Sequence, residues 1–326
     1  MSRYLVISCA LALVLLAPTS ANAATNERLL AKYQPVIYFT PGEAFRPTTV
    51  ETFVADSTLE RFIPALGDWV PVDPAPTVDS LPIAGGGWRL NQRTCSPAAG
   101  SAGAACYAAA WSAHDAQSTA YGRVARLETR IVLQYWFFYY DDFYPYNPLT
   151  PDLIWQAHEG DWEVVNVVLT RRDDEPLYVG YSQHCNGRTR AWSETPRWRG
   201  HHPVVYVALG SHANYFTQGE HVFDQACLPA PVLAFFAQTG LPLPRDHVVK
   251  GTAAGPPALG AGITDVTMVS ETGPHWIGFP GAWGELEYVH APGPVGTRFI
   301  GQSPPGPAQH AVWIDPLGTL ASWPAA

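Results

Sequence analysis

Runs of β-branched and aromatic residues, separated by turn-forming residues, dominate the centre of the chain. Runs of this kind are typical of β-strands. They predict strands at residues 36–39, 130–140, 162–170, 177–184 and 203–209. Shorter strands are expected near Leu286 and Val312. The pattern favours a mainly β protein, an antiparallel β-sandwich with long loops and a few short helices.

Helical patterns are few. They predict a short helix at residues 26–33 with Asn26 as its N-cap, helix in part of residues 48–62, and one helix at 231–239. Residues 64–130 and 251–326 are rich in Pro and Gly, which favour loops. We therefore expect one β-sandwich domain over residues 24–326, with a Pro/Gly-rich C-terminal part from about residue 251.

The N-terminal 23 residues have the features of a signal peptide. Arg3 supplies a positive start, residues 4–17 are apolar, and Ala21-Asn22-Ala23 is a small-x-small cleavage site. The apolar run is shorter than the roughly 20 residues that span a membrane, so a membrane anchor is the weaker interpretation. The sequence thus predicts a secreted protein, extracellular or periplasmic, without a transmembrane segment in the mature chain.

Composition and charge narrow the class of partner. The 326 residues are 47% hydrophobic and 14% charged, with a formal net charge of −9 and no run of basic residues. Nucleic acids and anionic membranes are bound by clustered cations. We therefore expect neither of them as a partner.

Four cysteines remain after signal removal: Cys95, Cys106, Cys185 and Cys227. An even number in an exported chain favours two disulfides, and three connectivities are possible. We favour Cys95–Cys106 with Cys185–Cys227, since the first pair closes a short Ser/Ala/Gly-rich loop at little entropic cost. Without a CxxC pair, a thiolate zinc site is the weaker alternative.

The segment His-Glu-Gly-Asp-Trp-Glu at residues 158–163 carries the candidate chemistry. If a strand starts at Asp161, its alternation places Asp161 and Glu163 on the face that continues as apolar core. Buried carboxylates without a partner are costly, and a divalent cation would compensate them. His158, in the loop before the strand, could supply a nitrogen ligand. The alternative is that the three residues have structural roles only, with His158 as a cap, Asp161 as a turn residue and Glu163 in an ion pair with an arginine.

Other polar residues follow predicted strands and could meet at one end of a sheet. Asp141 or Asp142 follows the aromatic strand, and the sequence does not separate the two. His184 and His212 also follow strands, where they could act as catalysts, as metal ligands or as structural hydrogen-bonding groups.

Trp192 and Trp198 flank arginines in a polar loop, where they could stack on a sugar or lie at a lipid interface. The alternative for both is core packing.

Taken in order, these motifs resemble the vacuolar protein sorting-associated protein 62 family. The resemblance covers about residues 33–216, with a weaker echo at residues 281–284. The name of that family records a sorting phenotype and implies no chemistry. The matching pieces are residues 33–39 with Glu43 and Pro47, 134–139, Asn147, 158–163, 182–184, 202–208 and 210–213.

The segment at residues 158–163 is also similar to the signature of the necrosis-inducing protein family, which are secreted β-sandwich toxins. The resemblance implies that His158, Asp161 and Glu163 hold a divalent cation that helps to engage a sphingolipid sugar head group. It places a further ligand near Asp141 or Asp142. This sequence has Glu159-Gly160 where that family has Arg-His, so the resemblance implies the cation site and not the toxin activity.

Three functions remain open from the sequence. The first is binding of an extracellular glycan or glycolipid head group through one cation. The second is metal-dependent hydrolysis of an ester, phosphoester or glycoside, with His184 or His212 moving protons. The third is a structural cation. The carboxylates favour Ca, Mg or Mn, and Zn becomes the expectation if His184 and His212 are also ligands.

Overall fold

The computed structural model describes residues 20–114, 118–228, 230–254, 265–293 and 296–326, and it shows a mainly β protein. The strands are β1 (Val36–Phe39), β2 (Ser57–Ile63), β3 (Asp68–Asp73), β4 (Trp88–Gln92), β5 (Thr119–Arg126), β6 (Arg130–Pro145), β7 (Trp155–Thr170), β8 (Pro176–Gln183), β9 (Asn186–Ala191), β10 (Arg197–Trp198), β11 (His202–Val207), β12 (Asn214–Tyr215), β13 (Gly219–Val222), β14 (Arg245–Val248), β15 (Ala253–Ala254), β16 (Asp265–Met268), β17 (Leu286–Ala291) and β18 (Gly296–Gln302). The helices are α1 (Ser20–Tyr33), α2 (Val50–Asp56), α3 (Ser101–Ser112), α4 (Ala230–Thr239), α5 (Ala311–Ile314) and α6 (Pro316–Ser322).

The centre of the fold is the long antiparallel hairpin of β6 and β7. The two strands pair from Arg130 opposite Thr170 to Pro145 opposite Trp155. Almost every residue of β6 is buried, on both faces of the strand. A strand covered on both faces has no need for polar alternation, which explains the continuous aromatic run in the sequence.

Two large sheets form the sandwich. The first has the order β16-β5-β6-β7-β17-β18, with β8 and β9 continuing from β7, and the second has the order β10-β11-β1-β15, with β12 on β11. Most pairings are antiparallel, whereas β1 pairs with β11, and β16 with β5, in parallel. One hydrophobic cluster joins side chains of both sheets, including Ile37 and Val205 from the second sheet with Phe137 and Tyr181 from the first.

The opposite face of the central hairpin contacts the small sheet β3-β2-β4, where the Tyr140 hydroxyl of β6 donates a hydrogen bond to the Gln92 side chain of β4. There Phe138 packs against Trp162 and Trp283, with ring centroids 4.8 and 5.3 Å apart. A second hydrophobic cluster lies at the far end of the hairpin, where Tyr144 and Ile154 meet Phe236 of α4.

The structure confirms the mainly β prediction and places strands in all five predicted ranges. The strand expected near Val312 is wrong: Val312 belongs to helix α5, and its apolar run is too short for periodicity to separate a strand from a buried helical turn. Helix α1 begins before Asn26, so Asn26 is not an N-cap, and its Oδ1 instead accepts a hydrogen bond from Arg126. Most of the predicted signal peptide, residues 1–19, lies outside the described residues.

Two disulfides join the predicted pairs, Cys95 to Cys106 and Cys185 to Cys227. The first ties the loop after β4 to helix α3. The second ties the end of β8 to the segment before α4, beside the candidate site described next. The described residues include no helix of the length and apolarity needed to cross a membrane.

Candidate functional site

Asp161 and Glu163 lie in β7 on the face that packs between the two large sheets. Both residues are buried, and the same face continues with Val165 and Val167, as their spacing predicts. The prediction that His158 lies in a loop is wrong. His158 lies within β7, which begins at Trp155, so the backbone pairing of the hairpin fixes its position.

Gly160 interrupts the alternation of β7 between these residues. Its φ is +56°, and a Cβ at this position would lie 2.1 Å from the carbonyl oxygen of Trp283. Glu159 does not join Asp161. Its carboxylate instead accepts hydrogen bonds from the backbone N–H of Gln92 and from the Tyr107 hydroxyl, the latter at 2.6 Å. Burial raises the pKa of Glu159 to about 7.

The structure separates Asp142 from Asp141. Asp142 lies opposite His158 in the hairpin, and Asp141 lies opposite Glu159. Asp142, Asp161 and His212 offer ligand atoms that all lie within 4.8 Å of one another, so these three buried residues could hold a metal ion. Asp141 is not part of this group.

The carboxylates line a cavity of about 290 Å³, which we call the acidic cavity. Its walls combine acids, amides, imidazoles and aromatic rings. The residues that define it are Asp142, Tyr144, Gln156, His158, Asp161, Trp162, Glu163, His184, Cys185, Ser211, Phe223, Cys227, Glu287, Gln302, Pro304 and His310.

The backbone orients the His158 ring. Its Nδ1 lies 2.8 Å from the carbonyl oxygen of Gly160, so Nδ1 carries the hydrogen and donates it. This orientation leaves Nε2 facing the cavity, 3.6 Å from Oδ2 of Asp142. Metal-binding histidines typically donate their second ring N–H to a carbonyl or carboxylate in this way.

Within the described residues, side chains donate hydrogen bonds to only one of the two carboxylate oxygens of Glu163. Its Oε2 accepts hydrogen bonds from the Ser182 hydroxyl and, at 3.2 Å, from the side-chain amide of Asn214. Burial and the nearby Asp161 carboxylate raise the pKa of Glu163 well above its usual value. The same two causes, burial and then Asp161, raise the pKa of Asp142. Without a cation, the acidic cavity therefore disfavours the charged form of both groups.

His212 lies behind the cavity wall and is fully buried. Its Nδ1 is 3.1 Å from Asp161, its Nε2 is 3.3 Å from Glu43, and its ring stacks on Tyr139 at 3.9 Å. Burial by itself lowers the pKa of His212, but the two carboxylates raise it well above its usual value. Without a bound cation, the raised pKa favours a protonated His212, which bridges Asp161 and Glu43; to bind a metal ion together with Asp142 and Asp161, His212 would have to lose this proton.

His184 lines the acidic cavity from the end of β8. Its Nε2 lies 2.6 Å from Oδ2 of Asp246, a residue of β14 with no exposed surface. Ser211 and Tyr215 also donate hydrogen bonds to Asp246. Burial acts to raise the pKa of Asp246, but His184 and these hydrogen bonds bring it below its usual value, so the carboxylate is charged.

Trp192 and Trp198 lie elsewhere in the fold. Trp192 packs against Tyr33, with ring centroids 5.7 Å apart, and Trp198 packs against His202 at 5.3 Å. Neither tryptophan lines the acidic cavity, so their ligand-binding role stays a prediction without support from this site. The aromatic rings in the cavity wall are those of Tyr144, Trp162 and Phe223.

Sequence reasoning assigned no role to Glu43 or Asp246. Each contacts a predicted histidine across a large separation in sequence, 169 residues for Glu43 and His212 and 62 for Asp246 and His184. No local pattern marks Asp246, which lies in a short Arg-Asp-His-Val strand. Glu43 appeared only as one of the residues shared with a known family.

Comparison with curated proteins finds relatives in yeast. The chain is similar to vacuolar protein sorting-associated protein 62 of Saccharomyces cerevisiae, with 27% identity over 171 residues, 47% of this chain and 34% of that protein. It is also similar to the putative vacuolar protein sorting-associated protein TDA6 of the same yeast, with 24% identity over 174 residues, 47% of this chain and 35% of that protein. The matched region thus spans about a third of the length of these relatives, and it confirms the resemblance seen in the motifs. No family model matches the chain.

Comparison with solved structures finds proteins of the second family that the 158–163 segment resembles. Necrosis and ethylene inducing protein 2 from the agent of cocoa's witches' broom disease shares 16% identity, covers 58% of this chain and 67% of its own, and gives a TM-score of 0.31. The structure of NLPPya in complex with glucosamine shares 13% identity, covers 63% of this chain and 74% of its own, and gives a TM-score of 0.35. At these scores the likeness carries no argument about fold or function.

Proposed function

We propose that the acidic cavity binds one divalent cation through Asp142, Asp161, Glu163 and His158. The observation that carries this proposal is their convergence on one small cavity, three carboxylates with an imidazole nitrogen already turned toward them. Of the two candidates Asp141 and Asp142, we propose Asp142 as the additional carboxylate ligand. His212 supports the site by orienting Asp161.

The electrostatics of the cavity favour a cation. Burial and mutual repulsion raise the pKa values of Asp142 and Glu163, and a bound divalent ion would reverse both effects. A set of three carboxylates and one imidazole suits the hard cations Ca, Mg and Mn better than Zn.

The ligand that we propose is a glycan or a glycolipid head group. The cavity of about 290 Å³ is just below the range of about 300–1,000 Å³ that is typical of small-molecule sites, so it is large enough for one sugar unit and not for a longer glycan. Its wall provides the acceptors Gln156 and Gln302 beside the rings of Tyr144 and Phe223. Sugar hydroxyls can bind a cation and amide groups while the apolar face of the ring stacks on an aromatic side chain.

We propose an extracellular or periplasmic location for this activity. Two disulfides support an oxidising compartment. The signal-peptide features of residues 1–23 point to the same location.

Isothermal titration of the chelator-treated protein with Ca²⁺, Mg²⁺ and Mn²⁺ tests the cation site. One equivalent should bind to the wild type and to Asp141→Asn, which is the matched control for the neighbouring Asp142→Asn. Asp142→Asn should bind at least tenfold more weakly. Equal binding by the two variants would refute the assignment of the ligands.

A glycan array, read with and without chelator, tests the ligand. Binding that needs the cation and is lost in Asp142→Asn supports head-group recognition. Cation binding without any glycan bound would leave the cation with a structural role and refute the proposed ligand.

A second candidate function is metal-dependent hydrolysis, and the His184–Asp246 pair is the observation that favours it. A buried carboxylate that fixes the tautomer and orientation of a cavity histidine is a common arrangement for proton transfer. A panel of ester, phosphoester and glycoside substrates, assayed with each cation, tests this function. Turnover that falls at least 100-fold in His184→Gln, with cation binding unchanged, would establish it, and its absence across the panel would exclude these three classes.

A further inference from the structure

A second cavity lies outside the site described above. It is an open groove of about 570 Å³ between the end of the β6–β7 hairpin and the segment that follows α4, and we call it the leucine groove. It shares no lining residue with the acidic cavity. Tyr144 lines the acidic cavity, its neighbour Tyr146 lines the leucine groove, and their ring centroids lie 5.1 Å apart.

The leucine groove is mainly apolar and exposed. Leu149, Leu153 and Leu241 line it with 90%, 52% and 45% of their surface accessible. Large apolar side chains that remain exposed together mark sites where an apolar partner binds. Their convergence on one concave surface distinguishes them from Leu66, which is exposed in the turn between β2 and β3 and does not line the groove.

The floor of the groove is well packed. Phe236 of α4 is only 5% exposed and belongs to the second hydrophobic cluster, together with Ile154. Tyr146 packs on Phe236, with ring centroids 5.8 Å apart. The groove is therefore formed before any ligand arrives, which lowers the entropic cost of binding.

The rim of the groove is polar and carries one uncompensated cation. Glu220 and His247 pair with each other across the β13–β14 hairpin. Arg245 is exposed on the same hairpin, where it pairs with Val222 through the backbone, but its guanidinium forms no ion pair or hydrogen bond with any residue in the described ranges. An apolar floor with one free guanidinium at the edge is complementary to an apolar chain that ends in an anion.

We infer that the leucine groove binds a long-chain fatty acid, with its acyl chain along the leucines and its carboxylate at Arg245. The volume lies within the range of about 300–1,000 Å³ that small-molecule sites occupy. A bilayer surface fits less well, because anionic lipids repel a chain of net charge −9 that offers a single free arginine here. The inference is independent of the cation site.

Titration with octanoate, decanoate and dodecanoate below their micelle concentrations tests this inference. Each methylene that enters the groove should tighten binding by about fourfold. Leu149→Ser should weaken dodecanoate binding by at least threefold, and Leu66→Ser, at another exposed leucine that lies outside the groove, should leave it unchanged. Arg245→Gln should weaken dodecanoate by about two- to fivefold and leave 1-decanol unaffected, because only the acid forms the exposed ion pair.

Asp161→Asn in the presence of chelator should bind dodecanoate like the wild type, which separates this result from failure of the cation site. No binding of any acid, a binding constant independent of chain length, or equal weakening by Leu66→Ser and Leu149→Ser would each overturn the inference. Binding to phosphatidylglycerol vesicles without binding of the monomeric acids would also overturn it, in favour of a membrane surface.

Discussion

Replacing Asp142 by Asn should have opposite effects on stability with and without a divalent cation. In the cation-free protein, Asp142 and Asp161 are buried neighbours whose charges repel each other wherever both are ionised, and burial together with this repulsion raises the pKa of Asp142. The substitution removes one of these charges and keeps the shape of the side chain. We therefore expect Asp142→Asn to unfold at a higher temperature than the wild type in chelator at pH 8, and to lose the stabilisation that a cation gives.

The structure sets the scale of both effects. If both groups were charged, two charges within 4.8 Å would repel by about 3 kcal/mol or more at an effective dielectric constant of about 20, but the raised pKa of Asp142 favours its neutral form and reduces this gain. The His212 imidazolium offsets part of this repulsion, so the net gain in the variant should be a few degrees. Cation at about 100 times its dissociation constant stabilises the wild type by about 2.7 kcal/mol. At roughly 2–4 °C per kcal/mol for a large domain, the wild type should gain about 5–10 °C.

Thermal unfolding followed by circular dichroism, in chelator and in saturating Ca²⁺, Mg²⁺ or Mn²⁺, measures both effects. Asp141→Asn is the control, because it removes a neighbouring buried carboxylate that lies outside the group of possible ligands. A cation-induced shift in Asp142→Asn as large as in the wild type would refute the reasoning. A variant less stable than the wild type in chelator would show that the repulsion is already compensated.

Three further predictions concern stability. The pKa of Glu159 is raised from 4.5 to about 7, so its contribution to the free energy of unfolding is complete below pH 4.5 and is lost as the pH rises through 7. Urea unfolding in chelator should therefore give a free energy of unfolding at least about 2 kcal/mol lower at pH 8 than at pH 5. A free energy that rises from pH 5 to pH 8 would contradict this prediction. Gly160→Ala combines a positive φ with a backbone clash, whereas Gly67→Ala has the positive φ alone. In urea unfolding, Gly160→Ala should lower the free energy of unfolding by more than about 2 kcal/mol, and Gly67→Ala by about 1–2 kcal/mol. Equal losses in the two variants would argue against the clash. The double variant Cys185→Ala, Cys227→Ala removes the disulfide that closes a loop of 42 residues. In the same assay it should lower the free energy of unfolding by about 4 kcal/mol, because the disulfide restricts the unfolded chain. A loss below about 1 kcal/mol would contradict this explanation.

The strands of the fold could be predicted because their signal is local. The aromatic run of β6 and the largely apolar run from Val164 to Leu169 in β7 predict two strands without reference to the rest of the chain, and both strands are buried. The resulting face of β7, two carboxylates followed by apolar residues, is the one found in the structure. The number of cysteines left three disulfide connectivities open, and the structure confirms the one that the short loop between Cys95 and Cys106 favoured.

The completion of the site could not be predicted in the same way. Asp141 and Asp142 are chemically identical, and only the pairing with Glu159 and His158 across the hairpin separates them. That pairing includes His158 because β7 extends through Gly160, a residue that sequence patterns associate with turns and loops.

The remaining differences between the predicted and the observed site come from contacts between residues that are far apart in the sequence. Asp246 reaches His184 from a strand that carries no distinctive pattern. Such contacts depend on how the sheets come together, which no window of local sequence contains.

The central claim is that one divalent cation binds among Asp142, Asp161, Glu163 and His158. An anomalous difference map from crystals soaked in Mn²⁺ tests this claim most directly, because it locates the ion. The account predicts one strong peak in the acidic cavity, in contact with the Asp142 and Asp161 carboxylates and absent from crystals of Asp142→Asn. A map without a peak in the cavity, or a peak that persists unchanged in the variant, would contradict it.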